Sequence, residues 1–170
     1  DYGPLNTHAD VSNLYNFFWS QSLFEGYARN EVEQRLFILS RSGTAGSQRF
    51  GAAMWSGDIG SNRTSLAAHF NAQMHMSFSG MDYYGTDIGG FHRGGLEGNT
   101  MLKANLDEMY TQWFAYGALF DVPVRPHTEN LCNCKETAPD RIGDAQANLD
   151  ALRLRYALIP TLYSLAHRAY

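Results

Sequence analysis

Four short apolar runs in the sequence each end on something ionisable: Arg41 after LFILS, Asp58 after AAMWSG, Asp87 after DYYGT, and Arg125 with His127 after FDVPV. Carboxylates, guanidinium groups and an imidazole are groups that move protons and hold hydroxyls or anions. Aromatic rings stand near them, with Trp55 three residues before Asp58 and Phe91 at the end of GTDIGGF, which also encloses Asp87 with three glycines. Aromatic faces beside carboxylates suit a sugar, whose C–H face stacks on a ring while its hydroxyls bond to Asp, Arg and His. Glycines let backbone approach a ligand closely. The competing chemistry is anion binding, since DIGGFHRGG joins glycines to Arg93 and could form a phosphate nest. One polar residue after a buried strand is commonplace; four strands in a row are less so.

These residues meet only if the runs before them are parallel strands. Val11, Leu14, Tyr15, Phe18, Trp19 and Leu23 recur at helical steps and predict a helix from Val11 to about Gly26. RLFILS then has strand length with both faces reading as buried, and GAAMW is a second such run. Leu66, Phe70, Met74 and Phe78 predict a helix that Gly80 stops. MDYYGTD reads as a third strand, a Gly-rich loop follows through Gly98, and a helix runs from about Thr100 to Leu119. LFDVPV is the fourth strand candidate, and a closing helix covers about Ala145 to Tyr170 with an interruption at Pro160. Such alternation is the pattern of an α/β fold with a parallel sheet and crossover helices. A doubly wound sheet and a (β/α) barrel both fit it, and in either the carboxyl ends of the strands share one rim where loops build a site.

Composition narrows the partners. The 170 residues are 44% apolar with a formal net charge of −4 and no long single-sign run, so nothing marks a nucleic-acid or anionic-membrane surface. No apolar run nears the roughly 20 residues of a membrane span, and DYGPLNTHAD lacks the regions of a signal peptide. Cys132 and Cys134 lie one residue apart, too close for an unstrained bridge and without the partners of a zinc site, so unpaired loop thiols are expected. His69 and His75, six apart, read as core or surface residues rather than ligands. No metal or cofactor is expected.

FILSRS, GSQRFGAAMWSGD, SGMDYYGTDIGGF, VPVRPH and RYALIPTLYSLA, in this order and spacing, resemble glycoside hydrolase family 31, the retaining α-glucosidases, α-xylosidases and their transglycosylating relatives. The resemblance covers nearly the whole chain. It implies a (β/α)8 TIM barrel of which residues 1–170 form the C-terminal half, strands five to eight, with no second domain. It implies Asp58 as catalytic acid/base, Arg41, Asp87 and His127 as grips on the sugar hydroxyls, and Trp55 and Phe91 as aromatic walls. Arg125 is implied as a support as much as a sugar contact. The activity implied is retaining hydrolysis of terminal α-linked sugars, an α-glucosidase first, with α-xylosidase, α-transglucosylase or a non-catalytic carbohydrate-binding relative as alternatives. Asp58 would protonate a poor leaving-group oxygen as the anomeric carbon gains oxocarbenium character, with a carboxylate nucleophile roughly 5 Å away.

The family's nucleophile motif has no match here. HADVSNLYNFFWSQS resembles the helix just downstream of it, so that Asp is expected upstream of Asp1, and Asp1 itself stands too close to SNLYN for the role. Asp10 reads as a helix-start residue and Asp82 as a strand residue. The chain is then expected to be a fragment that needs the remainder of the enzyme. Half a barrel leaves strand edges unpaired and a core side open, which predicts poor solubility or dimerisation for the piece alone. Ile59 stands where the family often has Asn, which weakens any choice among sugars.

Overall fold

The computed structural model describes residues 7–94, 100–130 and 133–169. Asp1, Gly95 to Gly98, Cys132 and Tyr170 of the expectations above fall outside the described residues. Thr7 and Asp10 form a reciprocal cap, so Asp10 does open a helix, the short α1 (His8–Val11). A break separates it from α2 (Tyr15–Arg29), where one continuous helix was predicted. Then follow β1 (Ile38–Ser40), a 3-10 turn (Ser47–Phe50), β2 (Ala52–Trp55), α3 (Arg63–Phe78), β3 (Tyr84–Gly85), β4 (Asp87–Ile88), α4 (Thr100–Phe120), β5 (Arg125–Pro126) and α5 (Ala145–Ala169).

Every strand pair is parallel. β1, β2 and β3 lie side by side in that order, and β4 pairs with β5 in a separate ladder. The predicted strand through MDYYGTD therefore splits at Thr86, and Asp82 is an exposed residue ahead of β3 rather than a strand residue. Thr86 sends its N–H to the Asp121 carboxylate at 3.3 Å instead of into a ladder. That redirection lets the chain leave β2 as a neighbour and take up β5.

Two further expectations are corrected. LFDVPV is not a strand: α4 continues through Phe120, Asp121 still donates to Gly117 in helical fashion, Val122 makes a single bond to the Tyr84 carbonyl at 3.0 Å, and ladder pairing begins at Arg125. The helical face wins because Trp113, Phe114 and Ala118 all point into the core, while Pro123 has no N–H for a ladder. Pro160 does not interrupt α5, which runs through it. Tyr156, four residues before it, and Pro160 itself are both exposed, so the missing donor falls on a solvent-facing stretch.

The core has two parts. Leu66, Ile88, Met109, Tyr110, Trp113, Phe114, Ala118 and Ile142 pack between α3, β4, α4 and the loop before α5. Ala52, Met54, Met81 and Tyr84 form the other beneath β2 and β3. β1 is less covered than its sequence suggests, because among the described residues no strand lies beyond it in the sheet order: Phe37 is 57% exposed and Ile38 and Leu39 are half-buried.

Candidate active site

The candidate residues leave the carboxyl ends of the strands on one rim. At the end of β1, Asn16 of α2 donates to Ser40 Oγ at 2.6 Å, and Ser40 Oγ donates to the Ser42 carbonyl at 2.7 Å. This brace spans Arg41. Arg41 Nη1 then reaches Asp58 Oδ2 at 3.3 Å, and Asp58 keeps 29% of its side chain exposed. Its other carboxylate oxygen takes no hydrogen bond among the described residues. Gly57 makes the approach possible, since its φ of +76° is in the left-handed region and a Cβ there would stand 2.9 Å from Arg41 Nε.

Trp55, at the end of β2, lies under two guanidinium groups, with Arg41 5.7 Å and Arg125 4.8 Å from its ring centroid. Asp87 and Arg125 are register partners across β4 and β5, and Arg125 Nη1 donates to Asp87 Oδ1. The Asp87 side chain has no solvent exposure, and its Oδ2 has no hydrogen-bond partner among the described residues. Burial pushes the Asp87 carboxyl above its ordinary value; Arg125, His127 and the Trp55 indole pull it back down, and Asp58 adds a smaller push upward. The Trp55 N–H is near enough to bias Asp87 toward the anion, yet its geometry falls short of a hydrogen bond.

Phe91 is placed by a zipper between the loops after β2 and β4. Phe91 and His92 donate to the Ile59 carbonyl at 2.9 and 3.1 Å, and Ser61 donates to the His92 carbonyl at 3.0 Å. Gly90 has φ +82°, and a Cβ would lie 2.5 Å from Ser61 Cα, so this glycine serves backbone meeting backbone rather than backbone meeting ligand. Thr128 Oγ1 and Glu129 N both donate to the Phe91 carbonyl, which sets Phe91 and His127 with ring centroids 5.4 Å apart. Arg41, Asp58, Trp55, Asp87, His127 and Phe91 thus form one connected set, with Arg125 at its middle. Ile59 turns away from it to pack against the larger core cluster.

The anion-nest alternative loses its cation. Arg93 is 2% exposed and donates to the carbonyls of Ile88, Gly90 and Glu136. Cys134 is disulfide-bonded, against the expectation of unpaired thiols. Among the described residues no group of three or more His, Cys, Asp or Glu could hold a metal ion.

Sequence reasoning missed what holds the rim from below. His69 Nε2 and Asp121 Oδ1 meet at 2.7 Å with both side chains essentially inaccessible, and Trp113 Nε1 donates to Thr86 Oγ1 at 2.8 Å. An aspartate inside the apolar stretch LFDVPV was the available signal.

Residues 2–165 match the model of the glycosyl hydrolases family 31 TIM-barrel domain. The chain belongs to glycoside hydrolase family 31. Within family 31, neutral alpha-glucosidase C of Mus musculus is 33% identical over 166 residues, 96% of this chain and 17% of that protein. Alpha-xylosidase of Saccharolobus solfataricus is 34% identical over 158 residues, 93% of this chain and 20% of that protein. The crystal structure of the family 31 α-xylosidase from Xanthomonas citri superposes with a TM-score of 0.84 at 31% identity, covering all of this chain and 19% of that one. The chain therefore spans about a fifth of the length of these relatives, and its fold is that of the family 31 TIM barrel.

Proposed function

We propose that this chain contributes the acid/base side of an α-glycoside hydrolase site, as strands five to eight of a (β/α)8 barrel forming part of one catalytic domain. The supporting observation is the Arg41–Asp58 contact at 3.3 Å beside Trp55, on a rim shared with Asp87 and His127. Asp58 delivers a proton to the departing glycosidic oxygen and then takes one from the water that releases the sugar. Arg41 holds one carboxylate oxygen of a side chain that stays 29% exposed, which leaves the other oxygen for a leaving group. Arg41 and His127 hold sugar hydroxyls and Phe91 and Trp55 wall the ring. Asp87 is the sugar contact that fits least well, because Arg125 takes one of its oxygens and no solvent reaches the other. Arg41 and Arg125 each pair with one of the two carboxylates, Asp58 and Asp87, so no unbalanced charge on these four groups disfavours a neutral, hydroxyl-rich ligand.

That third carboxylate is the nucleophile, an Asp expected upstream of residue 1, roughly 5 Å from Asp58 in a retaining enzyme. The relatives include both glucosidases and xylosidases, and α-glucoside and α-xyloside are the substrates to test. In the full-length polypeptide, Asp58→Asn is expected to lose at least roughly a hundredfold on glycosides with poor leaving groups, and less on activated aryl glycosides. Equal turnover of both substrate types by mutant and parent would remove the proton-donor role.

A further inference from the structure

Beyond the acid/base assignment, and resting on it, the geometry points to Arg125 as a positioning residue for Asp58 that acts through the Trp55 ring. Arg125 makes no hydrogen bond or ion pair with Asp58 among the described residues. It is joined to Asp58 by a sequence of contacts: Asp87 to Arg125, Arg125 over Trp55 at 4.8 Å, Arg41 over the same ring at 5.7 Å, and Arg41 to Asp58 at 3.3 Å. The first members are the rigid ones. Asp87 has no exposure and Arg125 only 27%, and the two are register partners in a parallel ladder, so the Arg125 guanidinium has little freedom. The last members are loose, since the Arg41 side chain is 61% exposed. An exposed arginine keeps a defined orientation only if something fixed supports it, and here the support is an indole pinned by the buried pair.

The residue type fits the task. A guanidinium is planar and lies flat on an aromatic face while still donating to a carboxylate, whereas an ammonium offers the charge without the flat contact. The charged and titratable groups around this chain of contacts are Arg41, Asp58, Asp87, Arg125 and His127. A role in protonating the leaving group and a role in gripping the sugar separate experimentally, because only the former depends on how poor the leaving group is.

The test uses the full-length enzyme and compares turnover of a poor-leaving-group α-glycoside with that of an activated aryl α-glycoside. Arg125→Lys is expected to lose about tenfold in kcat on the poor leaving group, less than Asp58→Asn, with little change in KM and little loss on the activated substrate. The Arg125→Lys effect should shrink in a Trp55→Ala background, because the ring that transmits it is gone. If Arg125→Lys does not accumulate as folded enzyme, Arg125→Gln, planar but uncharged, supplies the same comparison. Equal losses on both substrates, a change confined to KM, or an undiminished effect in Trp55→Ala would each overturn the inference. If Asp58→Asn itself shows no dependence on the leaving group, the acid/base reading has failed; if it does and Arg125→Lys does not, only the role of Arg125 has failed.

Discussion

Gly57 decides whether Arg41 can reach Asp58. Its φ of +76° disfavours any side chain, and a Cβ would press on the Arg41 guanidinium at 2.9 Å. Gly57→Ala is therefore expected to cost about 1–2 kcal/mol of stability and to displace Arg41, an exposed side chain that yields by moving. Thermal melting and turnover of a poor-leaving-group substrate read the two effects separately. Asp87 makes a prediction in pH. Its folded value is raised, so its contribution to stability is present at low pH and withdrawn as pH rises through that raised value. The stability of the parent relative to Asp87→Asn should fall as pH rises above the ordinary carboxylate range, and a rise would mean that Arg125 outweighs burial. At this scale much of the placement was legible, because Arg41 and Asp58 follow apolar runs that form parallel strands, while Asp87 lies in β4 and His127 just past β5. What was not legible is pairing. Nothing in the sequence couples Asp87 to Arg125, 38 residues apart, or His69 to Asp121, 52 apart.

Elements position the rim through contacts of that unreadable kind. Asp121, just past α4, receives Thr86 from the strand break and His69 from α3, all in the dry interior. Asp121→Ala would leave the Thr86 N–H and the His69 ring without their acceptor, at about 1–3 kcal/mol for each. A lowered melting temperature of the barrel, with loss of turnover as Asp87 shifts, is the expected outcome. Helices α3 and α5 and strands β1 and β2 were placed well by periodicity and composition. The failures share one cause, that a short apolar run does not announce its period. Leu119 and Phe120 read equally well as strand or as the last turn of α4, and only the buried face of that helix, Phe114 and Ala118 among it, decided the matter. Pro160 was read as a breaker, but α5 runs through it on an exposed stretch.

The molecule as a whole shows apolar surface along its flanks. Trp19 is 58% exposed on α2, Phe37 57% ahead of β1, and Tyr156 and Tyr163 are 70% and 69% exposed on α5. If the chain is half of a barrel, as proposed, surface of that kind on its flanking helices is what further strands and helices would cover. Produced on its own, the 170-residue chain is expected to self-associate, which light scattering would show, whereas a monodisperse monomer at high concentration would argue against the barrel-half reading. The parallel sense follows from the alternation of elements in the sequence; the strand order, which a doubly wound sheet would have made different, and the division into two ladders do not, the latter depending on where one threonine N–H is directed. The zipper between residues 59–61 and 90–92 has its own consequence for how such a protein can change. An insertion or deletion in either loop would unlatch both and carry Phe91 away with them, so length variation, natural or engineered, should be tolerated elsewhere on this rim first, and altered acceptor preference sought by exchanging side chains here rather than by remodelling the loops.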